Sequence, residues 1–314
     1  MLYTFSVVRH ISVIKNPTDE RVVSDMKLLI LGGDIRLCYT AEKLGRKYDV
    51  YTYGQSERDM LPDEKCDAVI LGLPASRDGI NVNAPLCDKA IPLSLLPKLL
   101  KPNGIVIGGM ISPAVKKYCI ENEFFCEDHY KEESVMLRNA VPSAEGALAV
   151  GINATPSQLL GQKVLVLGFG RIASQLAAYL TAMGCEVIIA ARSREKRAKA
   201  RMSGCRAVGF DALCSILPEV TLIYNTVPCA VIGEDELQSF DDEAVYVELA
   251  SVSGIDGTAL KNYDGSAVII KAGGLPAKTA PKTAGEIIAD SAEEILDTYV
   301  NNRENKERGG NIEP

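Results

Sequence analysis

Six residues, Gly168-Phe169-Gly170-Arg171-Ile172-Ala173, carry the spacing G-x-G-x-x-A. That spacing seats the diphosphate of a dinucleotide when a strand leads into it and a helix leads out. Both are expected here. Lys163 to Leu167 (KVLVL) reads as a strand buried on both faces, and Gln175, Leu176, Tyr179 and Leu180 continue at helical spacing. Gly168 permits a tight turn, Gly170 lets a diphosphate approach the backbone, and Ala173 lets the helix sit close to the strand. The phosphate charge then faces the amides of Arg171 and Ile172 at the positive end of that helix.

The residues that choose the cofactor follow the next strand, EVIIAAR at 186–192. NAD enzymes place Asp or Glu there for the ribose hydroxyls. This chain has Arg192, Ser193 and Arg194, with Arg197 a turn on. A guanidinium can clamp a 2′-phosphate where a carboxylate would repel it, so NADP is expected over NAD, against the alternative of a solvated basic helix start. A strand over Val220 to Asn225 ends in Asn225-Thr226-Val227-Pro228, whose polar groups are placed to reach the nicotinamide ribose and amide. Ala250 and Gly273, beyond the next two strands, join the expected cofactor contacts.

Substrate chemistry is expected elsewhere. Pro281, Lys282 and Thr283 open a helix reaching Tyr299, and a helix N-terminus with Lys282 and Lys278 nearby favours an anionic group. Arg36, Ser76 and Ser112 each stand just past a strand, where ligands bind in open α/β sheets. Gly32-Gly33 is either a tight turn or a substrate contact. Glu145 lies among Ser143, Ala144, Gly146 and Ala147. Small residues of this kind either let helices pack closely, with Glu145 a cap-type residue, or line a cleft; the cleft is the favoured reading. The chain has two histidines, His10 and His129. His10 carries little weight, and Cys119, Cys126 and His129 (C-x6-C-x2-H) have poor spacing for zinc and no second pair, so no metal is expected.

These groups need elements to position them, and 314 residues suffice for two domains. Strands and helices alternate from Met26: strands at 27–33, 49–54, 67–74, 104–110 and 123–128, and helices at 37–48, 92–100 and 113–122. Ala75 to Ala90 is a long loop over a functional face. Such alternation implies parallel sheets, giving an α/β fold of two Rossmann-like, doubly wound parallel-sheet domains with a cleft between them. Residues 1–25 read as an extension outside the core and 26–150 as a substrate or partner domain ending in a crossing helix broken at Pro142. Residues 151–276 read as the nucleotide domain, 277–300 as a helix packing back on the first domain, and 301–314 as a disordered tail. A net charge of −7 argues against nucleic acid or an anionic membrane as partner. No apolar run approaches the ~20 residues of a membrane span. Nine scattered cysteines fit reduced thiols in a cytoplasmic protein.

The strings KLLILGGDIR, NAVPSAEGALAVGI, VLGFGRIA, NTVP, ELAS and above all AGGLPAKTAPKTAGEII resemble the A-subunit family of dipicolinate synthases over residues 26 to 298. The resemblance implies NADP-dependent oxidation, together with a partner B subunit, of a dihydrodipicolinate-level product of the lysine pathway. The implied product is the small dicarboxylate pyridine-2,6-dicarboxylate, which loads the developing spore with calcium; the implied location is the mother-cell cytoplasm. Ser143, Glu145, Asn225, Pro281, Lys282 and Thr283 fall on matching strings. Glu145 and Lys282 become the catalytic candidates, and Arg36, Ser112, Ser143, Pro281 and Thr283 the substrate contacts. Lys278 stands where the family has an apolar residue, and the 25-residue extension also departs from it. A homo-oligomer is compatible with this reading. Its rivals are a shikimate-type or hydroxyacid dehydrogenase, whose Lys–Asp or His–acid pair is not found at the expected place, and a non-catalytic NADP-binding scaffold.

Overall fold

A run of Val, Ile and Leu without helical periodicity must bury both faces, and a parallel sheet covered by helices is the structure that allows it. The computed structural model describes residues 24–56 and 59–307. In chain order it begins β1 (Ser24–Leu31), α1 (Ile35–Leu44), β2 (Tyr48–Tyr53), β3 (Cys66–Leu71), α2 (Leu96–Leu99), β4 (Leu100–Gly108), α3 (Pro113–Glu121) and β5 (Phe125–Asp128). A long helix, α4 (Glu133–Ala154), leads to β6 (Lys163–Leu167), α5 (Arg171–Ala182), β7 (Glu186–Ala190), α6 (Arg194–Met202), β8 (Arg206–Val208) and α7 (Leu213–Ile216). Next come β9 (Leu222–Asn225), α8 (Glu234–Gln238), β10 (Val245–Glu248), α9 (Gly257–Asn262), β11 (Val268–Lys271), α10 (Leu275–Thr279) and α11 (Pro281–Glu307).

The chain divides into two compact units. The first joins the residues up to Val135 with those from Pro281 onward; the second is Met136–Ala280. The first unit holds a parallel sheet of order β2-β1-β3-β4-β5. The second holds a parallel sheet of order β11-β10-β9-β6-β7-β8. Because every pairing is parallel, all carboxyl ends in a unit gather at one edge, where open α/β folds bind ligands.

Helix α11 belongs to the first unit through its packing on α1. Ile288, Ala289, Ala292 and Leu296 join Leu37, Ala41 and Leu44 over Leu28 and Ile30 of β1. Each fully buried Leu or Ile contributes roughly 1.5–3 kcal/mol. The helices approach so closely that a side chain at Gly285 would collide with the Arg36 carbonyl, and the Thr40 hydroxyl donates to the carbonyls of both Gly285 and Arg36. Lys43 and Asp290 form an ion pair along the same seam.

Several boundaries differ from those read in the sequence. Strand β1 starts at Ser24 rather than after Met26, so the last two residues of the expected extension belong to the strand. The expected helix at 92–100 is a 3-10 turn, Leu93–Leu95, followed by α2, and β4 begins at Leu100. Helix α4 passes unbroken through Pro142. The ring removes one helical donor, but Pro142 lies in the packed part of the helix and the next hydroxyl, Ser143, donates to the Asn139 carbonyl at 2.7 Å. Helix α11 continues through Glu307, where a disordered tail is expected from 301.

Candidate active site

The nucleotide cradle lies at the carboxyl edge of the second unit. Gly168 adopts φ +93°, a left-handed conformation that favours glycine. Its amide donates to the Ala190 carbonyl at 2.8 Å. A methyl group there would stand 2.6 Å from Thr226 Oγ1, and the Thr226 hydroxyl and amide both donate to the Leu167 carbonyl. Strands β6 and β9 therefore fix the turn from two sides. Gly170 is the N-cap of α5, provides no side chain to close that helix end, and has open space where its Cβ would be. Ala173 is fully buried, which keeps α5 against β6. An open cradle at a twelve-residue helix N-terminus suits a diphosphate. The residues present therefore fit a dinucleotide, whose phosphates Gly168, Gly170, Arg171 and Ile172 could hold.

At the end of β7, Arg192 and Arg194 are exposed, and neither is ion-paired with a carboxylate among the described residues. Ser193 caps α6, accepting from the Lys196 amide. Arg197 is committed elsewhere, donating to the carbonyls of Ala191 and Arg192 at 2.6 and 2.8 Å.

Asn225 corrects an expectation. It is fully buried rather than open to a ligand. Its amide donates to the Val227 carbonyl at 3.0 Å and to Glu248 Oε1 at 2.8 Å, while its Oδ1 accepts from the Val227 amide. Asn225 and Glu248 end adjacent strands in register. Glu248, which sequence reasoning passed over, is the centre of this edge. It accepts from Asn225 and the Ala250 amide on one oxygen, and from the Tyr246 hydroxyl (3.0 Å) and the Gly254 amide (2.6 Å) on the other. Burial, then the neighbouring Glu248, pushes the Tyr246 phenol well above its ordinary range. The available signal was a carboxylate ending the apolar run AVYVE. Thr226 and Val227 stay half-buried and Pro228 exposed, and the Asn225 side chain holds this loop through its two hydrogen bonds to Val227. Ala250 is half-buried; Gly273 is exposed and its carbonyl accepts from Lys278 Nζ at 2.8 Å.

The small residues of α4 serve packing. Ala144 and Ala147 are fully buried in a cluster with Val164, Val166, Tyr224 and Leu275. A Cβ at Gly146 would stand 2.8 Å from Leu275 Cβ, so α10 lies directly on the helix. Ser143 is buried with its hydroxyl donated to a carbonyl, against its expected role as a substrate contact. Glu145 projects on the exposed side, where the Tyr179 hydroxyl reaches it at 3.5 Å.

In the first unit the carboxyl edge collects the turn after β1, the loop after β3, the N-termini of α1, α3 and α11, and His129. Arg36 is not the open cation expected. It is 7 % exposed, forked onto Asp34 at 2.8 and 2.7 Å, and donates to the Leu73 carbonyl at 3.0 Å. Its charge is thus spent bracing β1 and β3. Ser76 is also buried, with its hydroxyl donated to the Asn81 carbonyl. Ser112 caps α3, accepting from the Val115 amide. Pro281, Lys282 and Thr283 form the first turn of α11, which carries no acidic residue; Lys282 and Thr283 are exposed.

His129 is fully buried just past β5, against Gly109, and neither ring nitrogen has a hydrogen-bond partner among the described residues. His10 lies outside the described residues. Burial pushes the His129 pKa down from 6.5 to about 4; Asp128 opposes the shift and Arg36 adds to it. The unfolded chain therefore binds a proton at His129 that the folded chain does not, between about pH 4 and 6.5. The folded state loses about 2–3 kcal/mol as pH falls through that window. Replacing the group removes the proton linkage, so His129→Leu is expected to flatten the difference. Urea midpoints of both proteins from pH 4 to 7 check this, and parallel curves would contradict it.

The fold and geometry agree with comparisons to known proteins. Residues 27–128 match the family model described as the N-terminal domain of the dipicolinate synthase A subunit. Residues 144–272 match that of the D-isomer specific 2-hydroxyacid dehydrogenase, NAD binding domain. The A subunit of dipicolinate synthase from Bacillus subtilis (strain 168) is 25% identical over 290 residues, covering 88% of this chain and 97% of that protein. The crystal structure of the dipicolinate synthase A subunit from Bacillus halodurans superposes with a TM-score of 0.77 at 23% identity, covering 88% of this chain and 99% of that one. The corresponding Bacillus subtilis structure gives 0.77 at 22%, covering 89% and 98%. Residues 27–128 are thus similar to the N-terminal domain of dipicolinate synthase A subunits, residues 144–272 form a dehydrogenase-type, NAD-binding domain, and over 88% of its length the chain is similar to the dipicolinate synthase A subunit.

Proposed function

We propose that this chain is the NADP-binding A subunit of a dipicolinate synthase. It oxidises a dihydrodipicolinate-level intermediate to pyridine-2,6-dicarboxylate, together with a B subunit, in the mother-cell cytoplasm of a sporulating bacterium. The observation that carries the reading is the joining, in one chain, of a dipicolinate-synthase N-terminal domain to an intact dinucleotide cradle. The preference for NADP rests on Arg192 and Arg194, exposed and unpaired with acid where a ribose-binding carboxylate would stand in an NAD enzyme.

Bound NADP would supply the acceptor for two electrons and one hydrogen leaving the ring. The remaining ring proton needs a base, and exposed Glu145, steadied by the Tyr179 hydroxyl, is the group we assign to it. A dianionic substrate calls for cationic groups and helix amides. Lys282 and Thr283 in the first turn of α11 meet that need with no acidic residue beside them in that turn. Aromatisation makes the oxidation favourable, so orientation rather than strong acid–base chemistry is what the residues must provide. A hydroxyacid-dehydrogenase reading is favoured by the match over residues 144–272. It would call for a His–acid pair, and His129, the one histidine among the described residues, is buried without a hydrogen-bond partner.

The test is to incubate the purified chain, with and without the B subunit, with NADP and freshly prepared precursor, and follow pyridine absorbance. Ring formation that depends on NADP is expected; no ring formation under either condition would overturn the proposal. Arg192→Ala is expected to weaken NADP binding about tenfold, the loss of one charge-assisted contact of ~1.5 kcal/mol, and to leave NAD binding unchanged. Unchanged NADP affinity would contradict the 2′-phosphate assignment.

A further inference from the structure

With Arg36 neutralised by Asp34, Lys282 answers one carboxylate of a dianion in the first unit, and the loop after β3 offers a second cation for the other. A cavity of about 340 Å³ opens there, lined by Arg77, Asp78, Asn81 and Asn83 and by the apolar Val82, Ala84 and Pro85. Ligand sites range from roughly 300 to 1,000 Å³, so this one suits a single ring rather than a nucleotide.

The walls are fixed. The Val82 amide donates to the Ile91 carbonyl, the Asn83 amide to the Ala75 carbonyl, and the Gly33 amide to the Asn83 carbonyl, each within 3.0 Å. Gly32, at φ +66°, lies so close that an added Cβ would stand 2.8 Å from Val82 Cγ1. The glycine turn after β1 is therefore the backing of this cavity. Arg77 is exposed, its Nε donates to Asn83 Oδ1 at 3.1 Å, and its two terminal nitrogens have no partner among the described residues. The Asn83 amide nitrogen likewise has none. Asp78 does not pair with Arg77. Its carboxylate accepts from the amides of Ile80 and Asn81, the Asn81 side chain and the Ser76 hydroxyl. The Asn81 and Ile80 contacts hold it well below the usual carboxylate range.

A guanidinium anchored through Nε presents its terminal fork outward, the geometry that takes a carboxylate bidentately. Apolar side chains beside it suit the face of a flat ring. We propose that Arg77 and Asn83 form the carboxylate-binding subsite of the first unit, taking one carboxylate of a small cyclic dicarboxylate. The proposal rests on the functional reading above and names a residue pair for it.

Titration calorimetry of pyridine-2,6-dicarboxylate and of NADP into the full chain tests it, with Arg77→Ala, Arg77→Lys and Asn83→Ala as variants. Arg77→Ala is expected to weaken dicarboxylate binding about tenfold or more, and Arg77→Lys, which keeps charge but not the fork, about fivefold. NADP affinity and thermal midpoint should not change. Asn83→Ala, which frees Arg77 from its anchor, should fall between wild type and Arg77→Ala. Wild-type dicarboxylate affinity in Arg77→Ala would overturn this subsite while leaving ring formation by the chain intact. Absence of dicarboxylate binding to the wild-type protein, together with no ring formation, would remove both. Inorganic phosphate displacing the dicarboxylate at equal concentration would overturn the assignment to a carboxylate.

Discussion

Glu248→Ala is expected to destabilise the second unit by about 3–5 kcal/mol, the cost of leaving buried polar groups without their charged partner. Four donors lose their acceptor at once: the Asn225 side chain, the Tyr246 hydroxyl, and the amides of Ala250 and Gly254. Solvent has little access to replace it, because Glu248 is 6 % exposed and Asn225 fully buried. Glu248→Gln keeps the shape but turns one acceptor into a donor facing donors, so about 2 kcal/mol is expected for it. The urea midpoint should fall while the slope stays constant, which marks a change in stability rather than in the surface exposed. The loops after β9 and β10 carry Thr226, Val227 and Ala250, so nucleotide affinity should fall with it. A Glu248→Ala protein within about 1 kcal/mol of wild type would show that the network is not the brace described.

Gly168→Val and Gly170→Ala separate two ways of losing the nucleotide. At φ +93° a β-branched residue is strained by about 1–3 kcal/mol, and its Cβ would also press on Thr226 Oγ1 at 2.6 Å and Val227 Cγ2 at 3.0 Å. The turn between β6 and α5 must open, so both thermal stability and NADP affinity should drop, the latter by about a hundredfold. Gly170 has an ordinary φ of −104° and empty space beyond it. Gly170→Ala should keep the melting temperature of the wild type and still weaken NADP, because its methyl group occupies the space a diphosphate needs. Calorimetry beside thermal melts reads both. Equal NADP affinity in Gly170→Ala and wild type would remove the diphosphate from this turn.

What the sequence made legible was local. The turn at Gly168, the strand before it and the helix after it depend on residues within a dozen positions of one another, and they form as read. The parallel sheets follow from alternating apolar runs for the same reason. Residues whose roles are set by side-chain partners are not legible in this way. Arg36 looks like an open cation until the Leu73 carbonyl, 37 positions away, and Asp34 are brought against it. Asn225 looks like a ligand group until Glu248, 23 positions on, takes its amide. Glu145 stands among small residues because the opposite side of α4 packs against β6, β9 and α10, a fact held in Val164, Tyr224 and Leu275 rather than in its neighbours. Pro142 reads as a break because its cost is local, while the packing that offsets it is tertiary.

The most direct measurement is the ratio of NADPH formed to pyridine-2,6-dicarboxylate formed, with both subunits present and oxygen excluded. Oxidation of a dihydro ring releases two electrons, so one NADPH for each aromatic ring is the predicted result, with NAD a poorer acceptor. Dicarboxylate accumulating without NADPH would mean that the ring is oxidised by another acceptor and that a nucleotide held at Gly168 does not take its electrons.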